Sequence, residues 1–123
     1  MSYGINTNAK RDRRIKPRFE IKVEARIQAQ LIGSPLKLDF VTENISEGGL
    51  LLNYSGRERL TFNAATILET WLFPDEGDPI FFFTKFVRYQ SPTTIAIRII
   101  DIDQDAHVRY RKFIETNMSR EVD

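Results

Sequence analysis

The 123-residue chain contains no cysteine and a single histidine, His107. It therefore has no disulfide framework, no thiolate nucleophile and no zinc site of the thiolate type. Long apolar runs are also missing. The apolar stretches, Ile80-Phe81-Phe82-Phe83 among them, fall far short of the roughly 20 residues that a membrane helix needs. The opening Met1-Ser2-Tyr3-Gly4-Ile5-Asn6 has no apolar h-region, so no signal peptide is expected. No phosphate loop of the Walker type and no cluster of metal-ligating residues stands out. These absences predict a cytoplasmic domain without cofactor, metal or membrane insertion, and they argue against an enzyme.

What the chain does contain is enough apolar residue, including nine phenylalanines, for one domain with a single buried core. Net charge is +1, but it is unevenly placed. Residues 10–18 carry six cations, Lys10, Arg11, Arg13, Arg14, Lys16 and Arg18, against Asp12 alone, a net +5. The remaining residues carry twelve cations against sixteen acids, a net −4. A basic arm on an acidic body suggests a local anion site, not a surface coated for DNA or RNA. A solvated basic tail is the plain alternative.

Residues 1–9 are polar and aperiodic and read as a disordered tail. Pro17 biases Lys16 toward extended geometry, which keeps a helix from carrying the basic run into the domain. From Phe19 to Leu31 apolar and polar residues alternate strictly, predicting one long half-buried strand ended by Gly33-Ser34-Pro35. A second strand has Leu36, Leu38 and Phe40 on one face and runs toward Thr42. Asn44-Ile45-Ser46-Glu47-Gly48-Gly49 is a turn, and Leu50 opens a third strand. An irregular connection follows. Thr66 to Phe73, Ile80 to Tyr89, and Thr94 to about Ile102 complete six strands, with Trp71 and Phe81-Phe82-Phe83 read as core and seam.

After Asp103 the period becomes helical, with Ala106, Tyr110, Phe113 and Asn117 or Met118 near one face. Asp101 or Asp103 suits the N-cap. Six short strands with tight turns, then one helix, predict a closed or nearly closed antiparallel barrel. The helix is expected to cover one end or side. His107 reads as a solvated helical residue, and Asp101-x-Asp103-x-Asp105 as helix capping, because Ala106 replaces the glycine of a calcium loop. Asp75, Glu76 and Asp78 read as an exposed acidic turn.

Two short patterns carry chemistry. Arg14-x-x-x-Arg18 precedes the first strand, with Arg13 ahead of it, and Asn44-x-Ser46-x-x-Gly49 follows the second. Arginine presents a planar fork of donors matching guanine O6 and N7, and equally a phosphate. An Asn amide donates and accepts at a base edge, and Ser46 adds an adjustable hydroxyl. Gly48 and Gly49 permit positive φ and close approach of backbone to ligand.

With both patterns in order around the strands, the chain resembles the PilZ domain family over roughly residues 11–116. The resemblance implies a mainly β fold, a six-stranded antiparallel PilZ-like β-barrel with a C-terminal α-helix and a flexible basic N-terminal arm. It divides the chain into a tail (1–9), a ligand-binding arm (10–18), the barrel with its helix (19–118) and a second tail (119–123). It implies a cytoplasmic bacterial receptor for the second messenger cyclic di-GMP that signals to a separate, unidentified effector protein. Arg14 and Arg18 would contact guanine and phosphate, Asn44 and Ser46 guanine, and Gly49 would shape the turn. Arg13 would add a phosphate or stacking contact.

One departure is evident. The family's last strand commonly carries G-x-x-F, where this chain has Ala96-Ile97-Arg98-Ile99, read as a core substitution at the seam. The rival readings are an adaptor that keeps the fold and binds protein without nucleotide, a nucleic-acid-binding barrel and a small hydrolase.

Overall fold

The computed structural model describes residues 21–122. Its elements are β1 (Arg26–Leu31), β2 (Lys37–Ile45), β3 (Gly49–Tyr54), β4 (Ile67–Phe73), β5 (Ile80–Ser91), β6 (Thr94–Asp101) and α1 (Gln104–Val122). Every neighbouring pair is antiparallel, and the strands close in the order β1-β2-β3-β6-β5-β4. The six-stranded antiparallel barrel with a C-terminal helix is thus the fold of the chain. Among the described residues no helix is long and apolar enough to cross a membrane.

The period of two along each strand decides what lies inside. Ile27 and Ala29, Leu38 and Phe40, Leu50 and Leu52, Leu68 and Leu72, Phe82 and Phe86, and Ile95 and Ile97 are all buried. Gly33, at a φ of 87°, makes the β1–β2 reversal, in a conformation that a side chain would disfavour. There the Ser34 amide donates to the Leu31 carbonyl at 3.0 Å.

The long first strand expected from Phe19 is interrupted. Ile21 makes one antiparallel bridge to Ile45, residues 22–25 are irregular, and regular pairing begins at Arg26. The interruption faces the point in β2 where its register against β3 shifts, between Thr42 and Asn44. Thr42, 1 % exposed, fills the interruption. Its hydroxyl accepts from the Ala25 amide at 2.8 Å and donates to the Val23 carbonyl.

Three further expectations are corrected. Leu36 precedes β2 and is exposed, so it packs on no face. Of Phe81-Phe82-Phe83 only Phe82 is buried, and Trp71, Phe81 and Phe83 are half-buried on the outer wall, where Phe81 meets the Trp71 ring tilted at 5.1 Å and the Phe83 ring edge-on at 5.0 Å. Ala96 is half-buried on the outer wall beside Leu51, while its neighbour Ile97 fills the core.

Both ends of the barrel are stoppered. The connection before β4 inserts Leu60 and Phe62, and Phe62 packs edge-on to Phe86 with its amide donating to the Tyr89 hydroxyl at 2.6 Å. About 13 Å away along β5, Phe82 packs against Tyr110 of α1. Asp103 caps the helix, accepting from the Ala106 amide at 2.8 Å. Ala106, Tyr110, Ile114 and Asn117 form the buried face, and the helix continues past Met118 to Val122.

Candidate functional site

The β2–β3 turn stands where the helix-capped end of the barrel meets its outer wall. Inward residues of β2 are Leu38, Phe40 and Thr42, so unbroken alternation would place Asn44 inside as well. The register shift after Thr42 turns the strand over. Ile45 is buried in its place, and Asn44 lies half-buried on the outer wall beside Leu51. A bulge of this kind re-aims a side chain without lengthening the sheet. Among the described residues the Asn44 amide group has no hydrogen-bond partner, which leaves its donors and acceptor open to a ligand.

Ser46 closes the turn twice, its amide donating to the Gly49 carbonyl at 2.9 Å and its hydroxyl to the same oxygen at 3.1 Å. The hydroxyl lone pairs stay available as acceptors. Two neighbouring elements hold the turn in place. From β6, the Ile99 amide donates to the Gly48 carbonyl at 2.9 Å. From α1, the Tyr110 hydroxyl donates to the Ser46 carbonyl at 2.5 Å, and Arg111 pairs with Glu47 at 3.3 Å. Burial, and after it the Glu47 charge, pushes the Tyr110 hydroxyl above the usual tyrosine range, so it remains a donor at neutral pH.

Neither Gly48 nor Gly49 has a positive φ, which corrects half of the sequence argument for them. Gly49 is required by close approach, and the approach is to the barrel itself. A Cβ there would lie 2.5 Å from the Ile97 carbonyl oxygen. Gly48 has open space around it.

Asn44, Ser46, Gly48 and Gly49 all line one open cavity of about 890 Å³. Its floor is the outer wall of β3, β6 and β5, including Leu51, Ala96, Arg88 and Arg98, and α1 contributes His107 and Arg111. A cavity this size is in the range of small-molecule sites, and its lining mixes apolar Leu51, Val87 and Ala96 with the cations Arg88, Arg98 and Arg111 and the acids Glu43 and Glu47. Trp71 and Phe81 do not line it. A second cavity of about 600 Å³ lies between the β4–β5 hairpin and α1. It holds none of the motif residues, and its Arg109 is committed to the carbonyls of Asp78 and Pro79.

Arg13, Arg14 and Arg18 lie outside the described residues. The chain nevertheless enters the barrel at this site. The Ile21 amide donates to the Ile45 carbonyl and the Ile45 amide to the Ile21 carbonyl, both at 2.9 Å, between the positions of Asn44 and Ser46. The sequence reading missed Arg88, Arg98, His107 and Arg111 as lining residues. Alternation in β6 marks Arg98 as outward, but only the pairing of β3 with β6 brings it to the turn.

The PilZ domain family matches residues 11–116 of the chain. No curated protein sequence matches it. Among solved structures, the Inhibitor of motility of Bacillus subtilis (MotI/DgrA) superposes with a TM-score of 0.66 at 15 % identity. That match covers 87 % of this chain and 51 % of the other, so the chain spans about half the length of that protein. The PilZ domain of CeSA from a cellulose-synthesizing bacterium superposes with a TM-score of 0.59 at 16 % identity, covering 84 % of this chain and 98 % of that one. At such identities the superpositions establish the fold, and the sequence match establishes the lineage: the chain belongs to the PilZ domain family, whose members are binding and adaptor domains and not enzymes.

Proposed function

We propose that this chain is a cytoplasmic receptor for cyclic di-GMP, and that it passes the signal to a partner protein when its N-terminal arm closes over the bound nucleotide. The observation that carries this reading is the two-way backbone pairing of Ile21 with Ile45. Arg18 precedes Ile21 by three residues, a tether of at most about 11 Å. Arg18 is thereby leashed to the same turn that presents Asn44 and Ser46, and Arg14, seven residues before Ile21, has a reach of at most about 25 Å. In this reading Arg14 and Arg18 take guanine and phosphate, Asn44 and Ser46 take the guanine edge, and Arg13 adds a phosphate or stacking contact.

Magnitudes favour a cooperative closure. Ordering the arm costs about 1–2 kcal/mol of backbone entropy per residue, and one bidentate arginine contact returns roughly 1–3 kcal/mol. Several contacts must therefore act together with base stacking, and the arm closes only when the nucleotide is present. The resulting change in surface is what a partner reads. The fold shared with an inhibitor of motility supports a protein as recipient.

Calorimetric titration with cyclic di-GMP tests the proposal. Binding near or below micromolar (about −8 kcal/mol), absent in Arg14→Ala and weakened in Ser46→Ala, is the expected result. Wild-type protein that takes up no ligand would overturn it and leave a protein-binding adaptor. Amide exchange in residues 10–18 that is equally fast with and without ligand would overturn the closure mechanism.

A further inference from the structure

The barrel register lines up side chains from four strands across the floor of the cavity. Asn44 stands opposite Leu51, Leu51 opposite Ala96, and Ala96 opposite Arg88. In the adjoining row Gly49 stands opposite Arg98, and Arg98 opposite Lys85. At about 4.8 Å per strand, Asn44 and Arg88 are about 14 Å apart. Between them the row holds Leu51, an apolar platform, and Ala96, which offers almost no side chain, and the adjoining row has Gly49. A planar ring has room to lie there.

The two arginines of this floor, Arg98 beside Gly49 and Arg88 at the far edge, are set apart from other cations in the barrel. Arg26 pairs with Asp39 and covers Phe73, Lys37 covers Trp71, Arg111 pairs with Glu47, and Arg109 holds two carbonyls. Arg88 and Arg98 are exposed and have no ion-pair or hydrogen-bond partner among the described residues. Arg98 also stands directly opposite a like charge, Lys85, an arrangement that destabilises a strand pair. Two acids line the same cavity, but Glu47 is engaged by Arg111 and Glu43 lies at the opposite, β2 edge. An anion laid across Arg88 and Arg98 would relieve the repulsion and fill their donors.

We infer that Arg88 and Arg98 form a second anchor of the nucleotide site, Arg98 beside Gly49 and Arg88 at the far edge of the floor, gripping the half of a cyclic dinucleotide that Asn44 and Ser46 do not hold. This rests on the cyclic di-GMP reading above and extends it across the barrel wall. The turn recognises one guanine, and the β5–β6 arginines take the far phosphate or guanine edge through their planar forks. A mononucleotide would satisfy one end only, so the anchor also selects for ligand length.

The test is calorimetric titration of cyclic di-GMP into wild type, Arg98→Gln, Arg98→Lys and the Arg88→Gln/Arg98→Gln double variant, each checked by thermal melting. The expected losses are about tenfold in affinity for Arg98→Gln and about a hundredfold for the double variant, with Arg98→Lys intermediate because it keeps the charge and loses the fork. Melting of Arg98→Gln at or above the wild-type temperature is expected from relief of the Lys85 repulsion, and shows that lost affinity is not lost folding. A double variant that binds within about twofold of wild type overturns the anchor and leaves the receptor reading intact. Wild type that does not bind overturns the receptor reading, and the anchor falls with it.

Discussion

The hydroxyl of Tyr110, on the buried face of α1, donates to the backbone carbonyl of Ser46 in the β2–β3 turn at 2.5 Å. This bond and the Arg111–Glu47 pair are direct polar links between the signature turn and the helix. Tyr110→Phe keeps the packing against Phe82 and leaves the Ser46 carbonyl without its donor, at an expected cost of about 1–3 kcal/mol. The pH dependence checks the same contact. The folded-state pKa is raised, so the stabilisation is complete below the unfolded value of 10.0. Above it the unfolded chain loses its proton first, and stability falls by about 1.4 kcal/mol per pH unit. Tyr54, pushed up to about 12 by burial and its bond to Glu58, acts in the same direction in both proteins. Urea unfolding across the alkaline range should give a steeper decline for wild type than for Tyr110→Phe, and parallel curves would contradict the assignment.

Gly48 and Gly49 are adjacent yet should respond unequally to alanine. A Cβ on Gly49 meets the Ile97 carbonyl at 2.5 Å, backbone against backbone, whereas one on Gly48 meets nothing within 4 Å. Gly49→Ala is expected to lose about 1–3 kcal/mol by forcing β3 away from β6, and Gly48→Ala to stay within about 0.5 kcal/mol of wild type. Chemical denaturation measures both. Equal losses would mean that the turn demands glycine for its dihedrals after all.

Inside the barrel the hydroxyls of Thr70 and Thr84 face each other across β4 and β5 at 3.0 Å, both side chains fully buried. Thr70→Val strands the Thr84 hydroxyl, at about 1–3 kcal/mol, Thr84→Val costs less because Thr70 keeps a longer bond to the Leu68 carbonyl at 3.4 Å, and replacing both should be nearly neutral. A double-mutant cycle with a coupling of about 1 kcal/mol or more is the expected result. Simple additivity would show that each hydroxyl is satisfied elsewhere.

That threonine pair also marks where the sequence stops being legible. Strict alternation from Phe19 onward, the turn residues and the helical period after Asp103 were enough to read six strands and a helix. In β4, however, Thr70 is inside and Trp71 outside, the reverse of what hydrophobicity alone suggests. Thr70 tolerates burial because Thr84 answers it, and Trp71 tolerates exposure because Phe81 and Lys37 cover it. Both compensations come from other strands. The same holds for the site. Asn44, Ser46 and Gly49 were legible because they fall within six consecutive residues, but Arg88 and Arg98 join them only through barrel closure. The bulge after Thr42, which alone puts Asn44 outside, arises where the entering chain at Ile21 docks on β2.

Closure of the strand order has a consequence for how a second macromolecule engages this domain. With β4 paired back to β1, the barrel wall offers, among the described residues, no open row of amides and carbonyls for an incoming strand to zip onto. A protein that docks on the wall must be read through side chains. The wall is then a display surface whose selectivity is rewritten one outward residue at a time, while the inward residues hold the scaffold unchanged.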